Sequence, residues 1–523
     1  MYLGFHVWSL GFFPFVHSDE AWLASLSRTM LETGSLSATE DFFRLTPRHP
    51  HAIKALFHLL QIPLVALSFS HVSVRVISLL GGLAALFCFY RALRKLGLPL
   101  LGAAPASLLL GLDVQFFSSS HVARQEILLV AVMAAAFCAA LPLESWRWRT
   151  PVVLGLMLGA AIGLHPNAFV VTLPFLALVF WVPVSGRRKL AFFAVFVGLL
   201  LAWAGAFVGW SYAMDPAFPS NYLAFGQSVG VADSPFLRLL RLRLFFVKLY
   251  QRVAGTYYLP PVRLQLLVFA GLLPLGALTG FLFRGNRGRH VGALTTAAGT
   301  VVIGLYLVGK FSPPTAVFLW LPCYLLGATL FYYLSGSDSR LLVGKRRLLS
   351  LLPVLFLAGS LTTATVTEAL RFEEHRYGDY IAEIRATVPS HQPVLANLNT
   401  AFAFSPGVLH TFRDLDRLDV PIAEYLERES IRYVLLPSEM EIIYAERPQW
   451  NLLYGNIYPY FGDLLRILDT RGVLIETVEA PVHAMRIVPY MFSRDAKLQI
   501  YRLTDEPRDA EPPERRPSSS RSE

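Results

Sequence analysis

The chain has 523 residues, of which 54% are hydrophobic and only 16% are charged, and its formal net charge is +10. A soluble domain carries about 25% charged residues, and the apolar residues here fall in runs long enough to cross a bilayer, which excludes an ordinary soluble protein. In a polytopic membrane protein an excess of Lys and Arg sets the orientation, so the charge does not indicate nucleic-acid binding. The three cysteines lie inside apolar runs and predict core packing, with neither a disulfide framework nor a metal site.

Hydropathy predicts eleven membrane crossings of roughly 20 residues each. The first apolar run has no basic segment and no cleavage motif, so we expect a retained helix. His165-Pro166-Asn167 interrupts one apolar stretch. Because proline breaks a helix and a polar triplet is costly in the bilayer, it predicts two short helices that meet at a membrane face. The predicted crossings are 1–16, 74–93, 98–117, 124–143, 151–165, 167–183, 190–212, 262–283, 291–309, 314–334 and 348–366.

A short basic loop follows every even-numbered crossing. The positive-inside rule therefore predicts a cytoplasmic N-terminus and an extracytoplasmic chain after Val366, in an integral protein of the plasma (inner) membrane. The basic residues are Arg91, Arg94, Lys95, Arg147, Arg149, Arg187, Arg188, Lys189, Arg284, Arg287, Arg289, Arg340, Lys345, Arg346 and Arg347.

Two long outside loops are predicted, at 17–73 and 213–261. Apolar residues at helical spacing predict two interfacial helices in the first loop, from Asp19 to Thr33 and from about Pro50 to Leu67. The basic residues between Arg238 and Arg252 lie on the outside against the topological bias, and we interpret them as an interfacial helix that faces anionic lipid.

The composition changes after Val366, where the apolar runs shorten to strand length. Strands are predicted at 393–398, 433–436, 473–477 and 498–503, with helices at 374–387, 420–429 and 460–471. The predicted organisation is a helical transmembrane domain at 1–366, a small extracytoplasmic α/β domain at 367–505 and a disordered tail at 506–523, which is rich in Pro, Ser, Arg and Glu.

Polar residues gather at the predicted outer ends of the early helices. They are Asp19, Glu20, Arg48, His49, His51, Lys54, His121, Arg124, Glu126 and His165. Ionisable groups at a membrane boundary are costly and often functional. Simpler roles are an N-cap for Asp19, a first-turn dipole partner for Glu20, a helix cap for His165, and lipid-headgroup contacts for His49, His51 and Lys54.

Arg124 gives the most specific signal. A cation at a helix N-terminus opposes the helix dipole and needs an anion, for which a phosphate is suited. His121 is expected to share its face, and Glu126 is expected to point elsewhere. A simpler alternative is an arginine that reaches the lipid headgroups.

The arrangement resembles the polytopic glycosyltransferases of the GT-C fold, and most of all glycosyltransferase family 39 and its aminoarabinose-transferase relatives. The residues that carry the resemblance are Asp19-Glu20-Ala21, Met30 to Gly34, Leu56 to Gly97, Ala123 to Glu126 and Gly155 to Pro174. The resemblance covers residues 1–210 well and the rest only by layout. It implies that Asp19 is the general base and that Arg124 contacts the donor phosphate.

The sequence departs from that family at two places. His49-Pro50-His51 stands where relatives often have Lys-Pro-Pro or His-Pro-Pro, and His165-Pro166 stands where they often have Lys-Pro or Lys-Gly. Since those lysines are plausible phosphate ligands, the identity of the donor stays open.

These observations predict an inverting membrane glycosyltransferase. It would transfer a hexose or pentose from a polyprenyl-phosphate donor to a glycan, lipid or protein acceptor on the extracytoplasmic face. Asp19 would be the base, Glu20 would tune it or orient the acceptor, and His49, Lys54 or His165 would assist Arg124 at the phosphate. No organic cofactor is expected, and a metal requirement is left open. The alternative is a non-enzymatic lipid or polysaccharide transporter or assembly scaffold, for which a polar path at the bilayer midplane would be diagnostic.

Overall fold

The structure is a computed structural model that describes residues 2–228, 233–253, 255–309, 311–335, 343–479, 482–487 and 496–505. It does not describe the side chains of residues 225, 228 and 343–353. The predicted tail at 506–523, Arg340, and the side chains of Lys345, Arg346 and Arg347 therefore lie outside the described residues. The chain forms two compact units. The first consists of Met1–Glu40, Arg48–Gly378 and Ile487–Tyr490, and the second of Asp41–Pro47, Asp379–Arg486 and Met491–Glu523.

The first unit is helical. Its helices in the described residues are α1 (Tyr2–Ser9), α2 (Ser18–Thr33), α3 (Ala55–Leu67), α4 (His71–Lys95), α5 (Leu100–Gly111), α6 (Val114–Ser119), α7 (Glu126–Ala140), α8 (Arg149–Ala160), α9 (Ala168–Leu178), α10 (Gly186–Met214), α11 (Phe218–Ser228), α12 (Pro235–Gln251), α13 (Arg263–Leu282), α14 (Gly285–Val308), α15 (Val317–Ser335) and α16 (Val343–Arg371). Short 3-10 turns lie at Leu143–Ser145, Ala161–Gly163, Val179–Trp181 and Pro313–Ala316.

Five helices of the described chain are long and apolar enough to span a bilayer: His71–Lys95, Gly186–Met214, Arg263–Leu282, Gly285–Val308 and Pro313–Ser335. Shorter apolar helices occupy Ala55–Leu67, Leu100–Gly111, Glu126–Ala140, Arg149–Gly163 and Ala168–Trp181. The protein is thus a helical membrane protein, while the number of eleven crossings stays a prediction.

The first predicted crossing is only partly helical, because α1 ends at Ser9 and an irregular segment follows it to His17. The backbone carbonyls of Leu10, Phe13 and Pro14 accept hydrogen bonds from the Arg75 side chain of α4. These carbonyls are satisfied without continuing the helix, which permits an irregular chain in a buried place.

Three further boundaries concern predicted site residues. The break at His165-Pro166 is confirmed, because α8 with its 3-10 turn ends at Gly163 and α9 begins at Ala168. The second interfacial helix begins at Ala55, five residues later than predicted, after Lys54 in a left-handed conformation with φ 99°. The fourth predicted crossing begins at Glu126, so Arg124 lies in irregular backbone before α7.

Helices α2 and α3, the two predicted interfacial helices, pack against each other through a polar contact as well as apolar ones. Ser27 of α2 donates to Gln61 Oε1 at 2.7 Å and lies 2.8 Å from His58 Nδ1, both on α3. All three side chains are buried. The contact fixes the rotation of α2 relative to α3, and α2 begins at the residues of the candidate site.

The second unit contains a five-stranded sheet in the order β2-β1-β3-β5-β4. Its strands are β1 (Val394–Ala396), β2 (Leu409–Thr411), β3 (Tyr433–Pro437), β4 (Gly472–Glu479) and β5 (Lys497–Leu503). Strand β1 pairs in parallel with β2 and β3, with Val394 opposite Leu409 and Tyr433, whereas β5 runs antiparallel between β3 and β4. Its helices are α17 (Tyr377–Thr387), which starts just before the unit, α18 (Ile422–Arg428), α19 (Ser438–Ala445) and α20 (Phe461–Arg471).

The prediction missed β2 and α19, which are only three and eight residues long. The 3-10 turns of this unit are Leu398–Ala403, Asp414–Arg417 and Pro448–Leu453. Residues such as Leu395, Val434, Tyr425 and Leu464 form a continuous apolar core between the sheet and the helices.

Part of the first predicted outside loop, Asp41–Pro47, belongs to the second unit, although the whole loop 17–73 was predicted to belong to the transmembrane domain. The Asp414 carboxylate accepts the backbone N–H groups of Leu45 and Thr46 at 2.7 and 3.0 Å, and the Thr46 hydroxyl at 2.6 Å. Arg44 pairs with Glu429 at 2.7 Å. These bonds hold the segment by its backbone, a kind of contact that hydropathy does not report.

Candidate active site

The site is built around the first turn of α2. The N-cap is His17, not Asp19: His17 Nδ1 accepts the backbone N–H of Asp19 at 3.0 Å, and Glu20 Oε1 accepts the backbone N–H of His17 at 3.1 Å. This reciprocal pair is a capping box. Because Nδ1 is an acceptor here, the imidazole is neutral, and its 3.5 Å approach to Asp19 Oδ1 is not an ion pair. The Asp19 side chain is therefore left for other contacts.

Glu20 is completely buried, as is its partner Arg75. Arg75 Nε and Nη2 donate to the two carboxylate oxygens of Glu20 at 2.8 and 2.9 Å. Glu20 Oε2 also accepts the backbone N–H of Ala123 at 2.8 Å. Four hydrogen bonds thus engage Glu20 and its charge is compensated. This disagrees with the prediction that Glu20 orients the acceptor or tunes Asp19 by like charge. It fixes Asp19 and the chain next to Arg124 instead.

Arg124 meets two carboxylates. Its Nη1 donates to Asp19 Oδ2 at 2.7 Å, and its Nε and Nη2 donate to the two oxygens of Glu126 at 3.2 and 2.8 Å. The prediction that Glu126 points elsewhere was wrong. It assumed helical spacing, whereas Arg124 precedes α7 in irregular backbone and its side chain folds over the first residue of the helix.

Tyr257 completes this group and was missed by the sequence analysis. Its hydroxyl donates to Asp19 Oδ2 at 2.9 Å, its ring stacks on His17 with centroids 4.2 Å apart, and the Arg124 guanidinium lies 5.0 Å from the ring centre. Burial, together with the charge of Asp19, raises the pKa of Tyr257 to about 12, so the phenol stays a hydrogen-bond donor at neutral pH.

The second of the predicted outside loops carries Tyr257 and is held by α16. Arg252 forms a bidentate pair with Glu368 at 3.1 and 3.0 Å, and the Tyr258 hydroxyl donates to Glu368 at 2.8 Å. Arg238 donates to the backbone carbonyl of Leu307, and Arg241 pairs with Asp233. Several basic residues of this loop therefore have protein partners, in addition to the lipid contacts predicted for them.

A partly open pocket, here called the cavity, adjoins Arg124; the space between its lining atoms, open solvent included, is about 460 Å³. Arg124, Glu126 and Tyr257 lie on its wall, and Gln115, Ser118 and Ser119 of α6 add neutral polar groups. The remaining wall consists of Pro14, Phe15, His17, Val122, Ile127, Tyr258 and Pro314. Asp19 is not on this wall: it touches Arg124 and Tyr257, and its side chain is 24% exposed. Arg124 thus contacts both this partly open cavity and a partly exposed carboxylate.

The other predicted residues lie elsewhere. His49 is about half exposed and 3.7 Å from Asp215. Arg48 and Lys54 approach the ring of Trp22 at 5.3 and 5.9 Å. His51 stacks edge-on against Tyr222, and its pKa is lowered to about 4 by burial and by Lys54.

The two remaining histidines also do not line the cavity. His165 Nδ1 accepts the backbone N–H of Asn167 at 3.0 Å, in agreement with the helix-capping alternative. His121 is buried 4.9 Å from the ring of His6 and 3.1 Å from Ser9 Oγ, and does not share the surroundings of Arg124. Within the described part of the chain, no three His, Cys, Asp or Glu side chains are grouped so as to hold a metal ion.

Comparison with known proteins shows the fold. No family model and no curated protein matches the sequence. ArnT from Cupriavidus metallidurans bound to undecaprenyl phosphate matches the structure with a TM-score of 0.58 and 14% identity, over 96% of both chains. Its apo state gives a TM-score of 0.54 at 14% identity, over 95% of this chain and 96% of that one. The chain has the GT-C fold.

A second GT-C protein agrees. The archaeal oligosaccharyltransferase AglB from Archaeoglobus fulgidus, in complex with an inhibitory peptide and a dolichol-phosphate, matches with a TM-score of 0.50 and 13% identity, over 88% of this chain and 69% of that one. These structural matches confirm the GT-C fold, which was predicted from Asp19-Glu20-Ala21 and Ala123 to Glu126.

Two residues of the candidate site, Arg75 and Tyr257, were missed. A signal existed for Arg75, which is a lone charge at the start of a predicted apolar crossing, where ionisable groups are functional candidates. For Tyr257 the signal was weaker: an aromatic pair, Tyr257-Tyr258, stands between a basic stretch and the next crossing.

Proposed function

We propose that this chain is a membrane glycosyltransferase that takes a sugar from a polyprenyl-phosphate donor, with Asp19 as general base and Arg124 as the ligand of the leaving phosphate. The observation that carries the proposal is the hydrogen bond of 2.7 Å between Asp19 and Arg124, two residues chosen for separate chemical roles and 105 positions apart in the chain. The GT-C fold supports it, since the matched ArnT and AglB structures hold undecaprenyl phosphate and dolichol-phosphate.

The chemistry is a direct displacement with inversion at the anomeric carbon. The acceptor hydroxyl oxygen forms a bond to that carbon while the bond from the carbon to the phosphate oxygen breaks, and the electron pair leaves with the polyprenyl phosphate. Asp19 takes the proton of the acceptor. Arg124 stabilises the charge that develops on the leaving phosphate, so no general acid is required.

In this structure the Arg124 guanidinium is hydrogen-bonded to the base itself. Asp19 Oδ2 accepts from both Arg124 and Tyr257. A donor phosphate competes for Arg124 Nη1, whereas Nε and Nη2 keep their bonds to Glu126. Asp19 is then released from a positive neighbour and becomes a better base, while Tyr257 continues to orient it. Donor binding thereby activates the base. The acceptor approaches from the exposed side of Asp19, and it is a glycan, a lipid or a protein hydroxyl.

The test measures sugar transfer by the Asp19→Asn variant in liposomes. The donors are a panel of undecaprenyl-phosphate hexoses and pentoses, and the liposomes contain envelope lipids and glycans as acceptors. Asparagine keeps the shape and lacks the basic lone pair, so turnover should fall by roughly two to four orders of magnitude, the usual contribution of a positioned base. Undecaprenyl-phosphate binding should be retained. Since His17 is the helix cap, the fold should be retained too.

The matched control is Asp215→Asn. Asp215 belongs to the second predicted outside loop, and its carboxylate lies near His49. This variant should leave turnover at the wild-type level. If a folded Asp19→Asn protein turns over at the wild-type rate, Asp19 is not the base. If the wild-type protein binds no polyprenyl phosphate, the assignment as a glycosyltransferase fails altogether.

A further inference from the structure

We propose that Gln115, Ser118 and Ser119 form the recognition site for the sugar of the donor, and that this sugar is neutral and hydroxylated rather than a cationic amino sugar. The proposal rests on the proposed function, because it places the sugar relative to a phosphate held by Arg124. All three side chains belong to one helical turn, α6, and all three line the cavity beside Arg124 and Glu126.

The first observation is the state of the Gln115 amide. Gln115 is 3% exposed, yet its Oε1 has no hydrogen-bond partner among the described residues. Its Nε2 donates to Ser119 Oγ at 3.4 Å and to the carbonyl of Pro313 at 3.5 Å, which are long bonds. A buried amide with so little compensation is costly, and a ligand that supplies a donor to Oε1 removes that cost.

The second observation is that the position of this amide is fixed in advance. Asp113 caps α6, since its carboxylate accepts the backbone N–H groups of Gln115 and Phe116 at 2.9 and 3.1 Å. The other carboxylate oxygen accepts the Tyr324 hydroxyl of α15 at 3.0 Å. The turn that presents Gln115 is therefore held to a neighbouring helix by a buried carboxylate. A preorganised polar group loses less entropy on binding.

The third observation is charge. Gln115, Ser118 and Ser119 are neutral, and their amide and hydroxyl groups match the hydrogen bonds that sugar hydroxyls make. The Ser118 hydroxyl donates to the Gln115 backbone carbonyl at 3.1 Å, so toward a ligand it acts as an acceptor. Among the described residues on the cavity wall, Glu126 is the one carboxylate, and both of its oxygens accept from Arg124. An ammonium group on the sugar would lie near a guanidinium and meet no uncompensated carboxylate on that wall. The cavity therefore favours a neutral sugar.

The experiment compares two ligand sets on protein in lipid nanodiscs: undecaprenyl phosphate alone, and undecaprenyl phosphate that carries glucose, mannose, arabinose or 4-amino-4-deoxyarabinose. The quantity measured is the gain in affinity that the sugar provides. We expect a neutral sugar to provide the largest gain. We expect Gln115→Leu to reduce that gain by about tenfold, the fold-change for one well-placed hydrogen bond. Its affinity for undecaprenyl phosphate alone should be unchanged.

Two further variants keep the result interpretable. Ser119→Ala is a milder change on the same wall and should reduce the gain in the same direction, which covers the case that Gln115→Leu does not fold. Asn399→Leu is the matched control: it removes another buried amide, in the second unit, which does not line the cavity, and should leave the gain unchanged.

Each result bears on the proposal. The assignment is overturned if the amino sugar gives the largest gain, if no sugar gives a gain, or if the gain survives in both cavity variants, as it would if the amide merely bound water. If wild-type protein does not bind undecaprenyl phosphate itself, the proposed function fails, and this is measured separately. If that lipid binds but the sugar effects are absent, only the sugar site is refuted.

Discussion

Replacing Arg75 by leucine should be one of the most destabilising single substitutions in the first unit. Arg75 is fully buried and makes five hydrogen bonds, two to Glu20 and one each to the carbonyls of Leu10, Phe13 and Pro14. Its Nη1 donates to both the Leu10 and the Phe13 carbonyl. Arg75→Leu leaves Glu20 as a buried carboxylate with only two backbone donors. Removal of one member of a buried ion pair costs about 3–5 kcal/mol, so we expect a loss of that size in the free energy of unfolding.

The assay is denaturant unfolding of the detergent-purified protein, followed by tryptophan fluorescence. Glu20→Gln combined with Arg75→Leu should recover part of the loss, because no unpaired charge remains, and the double-mutant cycle gives the coupling energy. Arg376→Leu is the control, since its ion pair with Glu373 is about half exposed and such pairs are worth about 0–1 kcal/mol. If Arg75→Leu costs no more than this control, the pair does not organise the site.

Four further outcomes are expected. Arg124→Ala should weaken polyprenyl-phosphate binding by the equivalent of about 1.5–3 kcal/mol, and Arg124→Lys should restore only part of it because a point charge cannot form a bidentate contact; unchanged affinity in nanodiscs would remove Arg124 from the phosphate site. Tyr257→Phe keeps the stacking on His17 and loses the hydrogen bond to Asp19, so kcat should fall about tenfold or less while donor affinity stays the same. Asp414→Ala should increase amide hydrogen exchange at Leu45 and Thr46, whose N–H groups it accepts; unchanged protection there would contradict the anchoring. A reporter fused after Phe372 should be active only outside the cytoplasm, as the basic loops require, and cytoplasmic activity would overturn the predicted topology.

The sequence by itself determined the class of the protein. Long apolar runs and few charges established a helical membrane protein, and Pro166 predicted the break between α8 and α9. Asp19 and Arg124 could be selected because an ionisable residue at a membrane boundary must have a compensating reason to be there. These features are local, since hydropathy, proline and charge act on their own segment of chain.

Only the tertiary structure decided which polar residues meet. His49, Lys54, His121 and His165 were candidates from the sequence beside Arg124, yet they do not line the cavity. Arg75 and Tyr257 are brought to the start of α2 from 55 positions after Glu20 and 238 positions after Asp19. Periodicity tells which face of a helix is buried, but not which other helix covers it, because that depends on how segments far apart in the chain pack together. Arg75 compensates the charge of Glu20 and leaves Asp19 as the partly exposed carboxylate. This arrangement is a property of the packed helices and not of any one segment.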